Sequence, residues 1–479
     1  MKAGFYESDI TPSLGMEQPG GYGKSYVKSY RDNLKVRAAV FSSGKESVAL
    51  VGIDSCIIQS AEPVKIIRQE VEKRTGIKAG AILMGASHTH AGGPFFGLRE
   101  DEYADVPEPI KTLISKHSTV TDSLYYEYLI GQTVTAICEA YTRRQEAVLS
   151  CGSGYEDKVA FNRRVKMKQG RAYTHPGKGN PDIIDFAGPI DPEVGVIAAW
   201  DMKGNLLGTV VNYACHGTTN YGAVTADWIY FLEKRIQGAM GKDSIVVFLN
   251  GASGDVTQVN NLSMSEREFG EKYADFVGTR VAAEVIKVMV TAEKGDCSPV
   301  SFAQKFLELK RRKPSKERLA KSLKIVEDGL KNNRFDTEWT FAKELLIADY
   351  FVKKEPIKEV EVQGIQVGPV VFLANPAEFF CNLGLKIKKS SLFPLTFVVE
   401  LANGGVGYVP DKKAFSSTGG GYETILTSYS NLEEGAGDKI VEASIQIAEK
   451  FKPGQLPSTP QVDKKGTPWD YGILGPDKE

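Results

Sequence analysis

The chain has 479 residues, with 42% apolar and 25% charged side chains, which excludes a disordered or collagen-like protein. A chain of this length can bury a large core without disulfides. Lys and Arg number 59 and Asp and Glu 60, for a formal charge of −1, so a general polyanion binder is excluded and no nucleic-acid partner is expected.

In chain order, the N-terminal MKAGFYESDITPS lacks the apolar core of a signal peptide, and no run of about 18 apolar residues follows anywhere. A cytoplasmic protein without stable membrane association is therefore expected. The six cysteines (Cys56, Cys138, Cys151, Cys215, Cys297 and Cys381) are scattered and read as reduced and mostly buried. Gly23-Lys24-Ser25 resembles the end of a phosphate-binding loop, but Gln18 stands where the first glycine belongs and no strand precedes it. Val48–Ile53 reads as a buried strand, 61–76 as a helix with Val64, Ile67 and Val71 on one face, and Ala79–Met84 as the next strand. Residues 123–143 predict a helix carrying Ile130, Val134, Ile137, Cys138 and Tyr141 at helical spacing. Strands follow at 193–200, 206–214 and 244–250. Asn250-Gly-Ala-Ser-Gly-Asp255 puts a serine among glycines after a strand, but it is not Gly-x-Ser-x-Gly. Ser265-Glu-Arg-Glu268 has the form of a capping box, opening a helix faced by Phe269, Tyr273, Phe276, Val277, Val281 and Val285. Strands recur near 299–309, 359–373 and 395–402, and helices near 376–389 and 436–451. The alternation predicts an α/β fold with a mixed, mainly parallel sheet flanked by helices.

Two segments stand apart. Residues 310–355 begin Lys310-Arg-Arg-Lys-Pro-Ser-Lys316 and read as a charged helical insertion. A solvated excursion is the first reading, with a helical hairpin, a lid or an oligomer contact as alternatives. Residues 452–479, rich in Pro, Lys and Asp, read as an extended tail.

Only five histidines are present, and three of them group at strand ends. His88 and His90 follow the strand ending near Met84, and two imidazoles at i, i+2 can project from one side of an extended segment. His216 lies just past the strand 206–214. Loops at the carboxyl ends of strands in open α/β sheets are where ligands collect. A catalytic zinc site takes about three protein ligands, and a carboxylate can complete the set. Glu378 qualifies, although as a residue at a predicted helix start it also reads as a first-turn acid favoured by the helix dipole. Asp54, Asp227 and Asp255 occupy similar junctions and read as caps, turn formers or partners orienting a ligand histidine. Arg163 offers a guanidinium for a carboxylate or a developing oxyanion, with a surface ion pair as its alternative.

Eight short motifs then point to a family. They are Asp9-Ile-Thr-Pro12, His88-Thr-His90, Asn162-Arg163, the His216 segment, Gly254-Asp-Val-Thr257, Pro376-Ala-Glu378, Gly407-Tyr408-Val409 and Tyr422-Glu423. In this order, across roughly residues 5–430, the sequence resembles the catalytic domain of neutral (alkaline, non-lysosomal) ceramidases. The resemblance implies one large catalytic domain over 1–451 and a zinc-dependent hydrolase that cleaves an N-acyl amide bond with metal-activated water. It implies His88, His216, Glu378 and Tyr408 as zinc ligands. It implies His90 as the acid/base, and Arg163 and Tyr422 as groups that steady the tetrahedral intermediate. Thr257 stands where the family signature has serine, and Gln258 where it has proline. Thr257 is kept as a lower-ranked catalytic candidate.

Family members typically carry a signal peptide and a C-terminal immunoglobulin-like domain. Neither is expected here, so a small soluble amide or related acyl compound is the expected substrate rather than membrane ceramide. The same metal site would equally serve an ester, lactone or carbohydrate-derived substrate. A non-catalytic binding protein with a relic site is the third reading, and a homo-oligomer is compatible with the sequence. The mixed imidazole and oxygen set does not select zinc uniquely.

Overall fold

Nearly every residue from Val36 to Phe41 and from Val48 to Ile53 is apolar, and all are buried, so both strands must be covered on both faces. The computed structural model describes residues 1–219, 222–265, 268–459, 472 and 474–479. A large sheet runs in the spatial order Ile245–Asn250, Leu206–Tyr213, Glu193–Asp201, Gln145–Tyr155, Lys2–Asp9, Lys35–Ser43, Glu46–Ile53, Ile82–Ala86, with Lys294–Gly295 paired to Gln145–Tyr155. The sheet curls until its ends meet. A Cβ on Gly52 would sit 2.4 Å from the Phe248 carbonyl oxygen, so only glycine lets these two strands cross. A second sheet has the order Val300–Lys310, Ile357–Val367, Val370–Ala374, Leu395–Val399.

The mixed α/β class is as expected, with helices flanking the sheets. The pairing, however, is mainly antiparallel. Among the longer strands only Glu46–Ile53 with Ile82–Ala86, Leu206–Tyr213 with Ile245–Asn250, and Val370–Ala374 with Leu395–Val399 run parallel. Short connections explain the difference. Gly44-Lys45 joins two strands as a two-residue turn, too short for a crossover. The predicted strand 359–373 is likewise two antiparallel strands, turning at Gly368, whose φ is 55°. The predicted helix 376–389 begins only at Cys381, because Ala377–Phe379 forms a short strand beside Gly407–Val409.

The helix expected from Ser265 runs Glu271–Thr291 with Gly270 as its N-cap, so no capping box opens it, and Glu266 and Arg267 lie outside the described residues. Its core face is Ala274, Val277, Val281 and Val285, while Phe269 and Phe276 are exposed. Residues 460–471 and 473 of the expected tail also lie outside the described residues. The charged segment forms two helices, Lys316–Asn332 and Thr337–Lys354. Trp339 is buried against Val326 and Gly329, and Lys343 Nζ donates to the His117 carbonyl and Ser118 Oγ, so the pair is docked rather than solvated. Among the described residues no helix is long and apolar enough to cross a membrane. All six cysteines are free, five of them buried.

One buried ion network ties the first sheet to its helices. Arg37 donates to Asp54 Oδ2 at 2.8 Å and to Glu233 Oε2 at 2.5 Å, and all three side chains are almost fully buried. Asp54 closes the strand that leads to Cys56, whose carbonyl is used at the site below. Removing the guanidinium would leave two buried carboxylates short of their counter-ion, a loss of order 3–5 kcal/mol. We expect Arg37→Met to lower the thermal unfolding midpoint by several degrees; an unchanged midpoint would show that the carboxylates are stabilised by other means.

Candidate metal centre

Each parallel strand pair ends at the same place and delivers side chains from the loops that follow. His88 comes two residues after Ile82–Ala86, with φ 64°, so the turn to the site is left-handed and not the extended segment expected. His216 follows Leu206–Tyr213. Glu378 lies on the strand Ala377–Phe379, where it is the cross-strand partner of Tyr408. It is not a first-turn helix acid.

The acceptor atoms converge. Glu378 Oε2 lies 3.4 Å from His88 Nε2 and 3.6 Å from His216 Nε2. These three residues form a group able to hold a metal ion. Glu378 Oε2 is buried without a hydrogen-bond partner. The outer nitrogens are committed elsewhere. His88 Nδ1 donates to the Cys56 carbonyl at 2.6 Å, and His90 Nδ1 donates to the Gly20 carbonyl at 2.8 Å. This turns the Nε2 atoms of His88 and His90 toward one another at 3.3 Å. Such outer hydrogen bonds are how proteins set the tautomer of a ligand histidine. A buried carboxylate oxygen lacking a donor, between two imidazoles whose far nitrogens are engaged, is the donor set a divalent cation takes.

Electrostatics distribute one proton over this group. Burial opposes a charged His88, but the Cys56 and Glu378 side chains outweigh it and hold His88 well above the ordinary histidine range. Burial pushes Glu378 up, yet the neighbouring His216 and His88 rings bring it well below the usual carboxylate range. Burial and the positive charges of Arg163 and His88 hold His216 well below its usual range. Burial and His88 bring His90 down to about 4, so its ring is neutral at pH 7.

Arg163 is buried beside this group. Its Nε donates to Glu423 Oε1 at 2.9 Å, Nη2 to the Gly254 carbonyl at 2.8 Å, and Nη1 to His216 Nε2 at 3.0 Å. It lies 5.5 Å from the ring centroid of Tyr408 and 5.2 Å from that of Tyr422. The two phenol oxygens are 2.9 Å apart. Burial and the Glu378 charge push the Tyr408 phenol well up. Thr257 is placed differently. Its hydroxyl donates to Gln258 Oε1 at 2.7 Å and lies 3.2 Å from Thr218 Oγ1, within a polar cluster beside the centre.

Comparison with solved structures decides the architecture. Neutral ceramidase from Pseudomonas aeruginosa superposes with a TM-score of 0.68 at 17% identity, over 95% of this chain and 76% of that one. The chain has the neutral ceramidase fold. A ceramidase complexed with C2 gives the same TM-score at 16% identity, over 96% of this chain and 77% of that one. No family model matches the sequence, and no curated protein does. Within this ceramidase fold the structure brings seven of the eight expected site residues together, with Thr257 at the edge.

Several contributors had no mark in the sequence. The Cys56 and Gly20 carbonyls orient His88 and His90 through backbone atoms, which any residue type supplies. Ser253 Oγ lies 3.5 Å from His216 Nδ1 and donates to Glu400, a fully buried carboxyl that burial pushes up to about 8. Asp255 acts from a distant segment: it accepts from Cys381 N, the first N–H of the helix Cys381–Ser390, and from Asn162 Nδ2, fastening the Glu378 segment to Asn162-Arg163. Asp227, by contrast, is the N-cap of Trp228–Met240, as expected of one reading. The pair Tyr422-Glu423 signalled Tyr422, but the tie from Glu423 to Arg163 needed the fold.

Filling the centre with a cation must displace the proton held on His88. We expect Zn2+ added to chelator-treated protein at pH 7 to release about one proton, read with a pH indicator in weak buffer, and affinity to fall as the pH is lowered. Uptake without proton release would show that the ion bypasses His88.

Proposed function

We propose that this protein is a metal-dependent hydrolase of N-acyl amide bonds, with zinc as its ion. The convergence of His88 Nε2, His216 Nε2 and Glu378 Oε2 carries the reading, and the ceramidase fold supports it. His88, His216 and Glu378 would hold the ion, with Tyr408 beside Glu378 as fourth ligand. A bound zinc supplies Lewis acidity toward a carbonyl oxygen and lowers the pKa of water towards ~7.

The remaining steps belong to the chain's own side chains. His90 is neutral, and its Nδ1 is committed to Gly20, so its Nε2 is the atom free to take a proton from water and return it to the leaving amine. Arg163 is held by Glu423 and Gly254 on two of its nitrogens, which aims the third into the centre. That nitrogen and the Tyr422 hydroxyl donate to oxygen as negative charge develops there, a role in which one lost donor costs roughly 10²–10³ in turnover. The substrate class proposed is a small amide of an acyl group.

The test is elemental analysis of protein purified without tag or added metal, followed by assay on short-chain N-acyl amides. About one zinc per chain and measurable turnover are expected. His90→Ala should keep its zinc and lose roughly 10²–10⁴ in kcat. Arg163→Met should keep turnover low at any substrate concentration. A zinc-loaded protein inert toward a broad amide panel would overturn the amide assignment.

A further inference from the structure

His216 differs from the other two histidines of the centre. Backbone carbonyls fix the outer nitrogens of His88 and His90, whereas the outer nitrogen of His216 meets only a side chain, Ser253 Oγ. What Ser253 does is decided one step further out. Ser253 Oγ donates to Glu400 Oε1 at 2.5 Å. Asn250 Nδ2 reaches the same oxygen at 3.3 Å, and the backbone N–H of Phe379 donates to Glu400 Oε2 at 2.8 Å. Both carboxylate oxygens therefore receive donors, and the carboxylate itself is fully buried.

A hydroxyl has one proton. With Glu400 ionised and that proton spent on it, Ser253 presents a lone pair to His216, so the proton of the neutral ring sits on Nδ1. The opposite nitrogen agrees independently, because His216 Nε2 accepts from Arg163 Nη1 at 3.0 Å. Glu400 also grips the residue after Glu378 through Phe379 N, and its own backbone N–H donates to the Asn250 carbonyl. One buried carboxylate thus sets the tautomer of one candidate ligand and the strand position of another.

We propose that Glu400, acting through Ser253, is a positioning residue of the metal centre that holds His216 in its Nδ1–H form and so presents Nε2 to the ion. The inference rests on the metal reading above for its function, but not for its test. Glutamine at position 400 has nearly the same shape, yet its amide NH2 must face either Phe379 N–H or the Ser253 and Asn250 donors. Facing Ser253, it reverses that hydroxyl toward His216, whose neutral ring has one lone pair and cannot accept from both Ser253 and Arg163 Nη1, so the Nδ1–H form loses its support.

The experiment uses 15N-histidine-labelled full-length protein, with five histidines to assign. Long-range 15N–1H spectra at pH 9, where the Glu400 carboxyl is ionised, read the His216 tautomer in chelator-treated protein. Competition with a chromophoric chelator reads Zn2+ affinity. Glu400→Gln is expected to lose the Nδ1–H form of His216 and to bind Zn2+ roughly 10–100-fold more weakly. Ser253→Ala, which removes the acceptor facing His216 together with one donor to Glu400, should weaken Zn2+ similarly and serves if Glu400→Gln fails to fold. An unchanged His216 tautomer with wild-type Zn2+ affinity in the variants would overturn the proposal. Wild-type protein that takes up no Zn2+ would overturn the metal reading instead, while the tautomer still decides the role of Glu400.

Discussion

Two imidazole lone pairs and a carboxylate oxygen aimed at one point repel each other unless positive charge lies between them. Holding them there is the constraint on which the rest of the centre depends. The structure meets it from behind: each ring is fixed at its far nitrogen, by the Cys56 carbonyl, the Gly20 carbonyl and Ser253. Glu378 is fixed by its short strand, by the Gly254 N–H bonded to the Phe379 carbonyl, and by Phe379 N on Glu400. The partial remedy present, a proton held on His88, is also the group a metal ion would replace.

The fold can do this because its few parallel pairings all end at one spot. The carboxyl ends of three parallel strand pairs, drawn from both sheets, supply Cys56 and His88, His216 and Ser253, and Glu378 and Glu400. Loops leaving parallel strands in an open sheet gather at one edge, where backbone groups and side chains from distant segments can meet. The antiparallel majority supplies rigidity instead. The close crossing at Gly52 and the network around Arg37 keep the strands that end at the site in fixed relation. The helical pair 316–354 reaches the same region. Arg312, at the end of the preceding strand, donates to the Thr424 and Ser430 carbonyls, bracing the loop that carries Tyr422.

Periodicity made the long elements legible. Helices at 61–75 and 123–142 and strands at 193–201, 206–213 and 245–250 lie within a residue or two of expectation, because long amphipathic or fully apolar runs have few alternatives. Short elements were not legible. Ala377–Phe379 and Gly407–Val409 are three residues each, too brief for any pattern, and their pairing is what sets Glu378 against Tyr408. Strand direction was also hidden, since alternating strands and helices suit parallel and antiparallel neighbours alike until loop lengths are known.

The chemistry divides in the same way. The sequence by itself determined which side chains are available: three histidines at strand ends, Glu378, Arg163 and the two tyrosines, because residue type and local motif are properties of short segments. Only the tertiary structure decided which nitrogen of each histidine faces the centre, and that Glu423, Ser253 and Glu400 act behind the residues that do. Those decisions are made by hydrogen bonds between groups 21 to 260 positions apart in the chain. A hydrogen bond across such a separation leaves no mark in either segment.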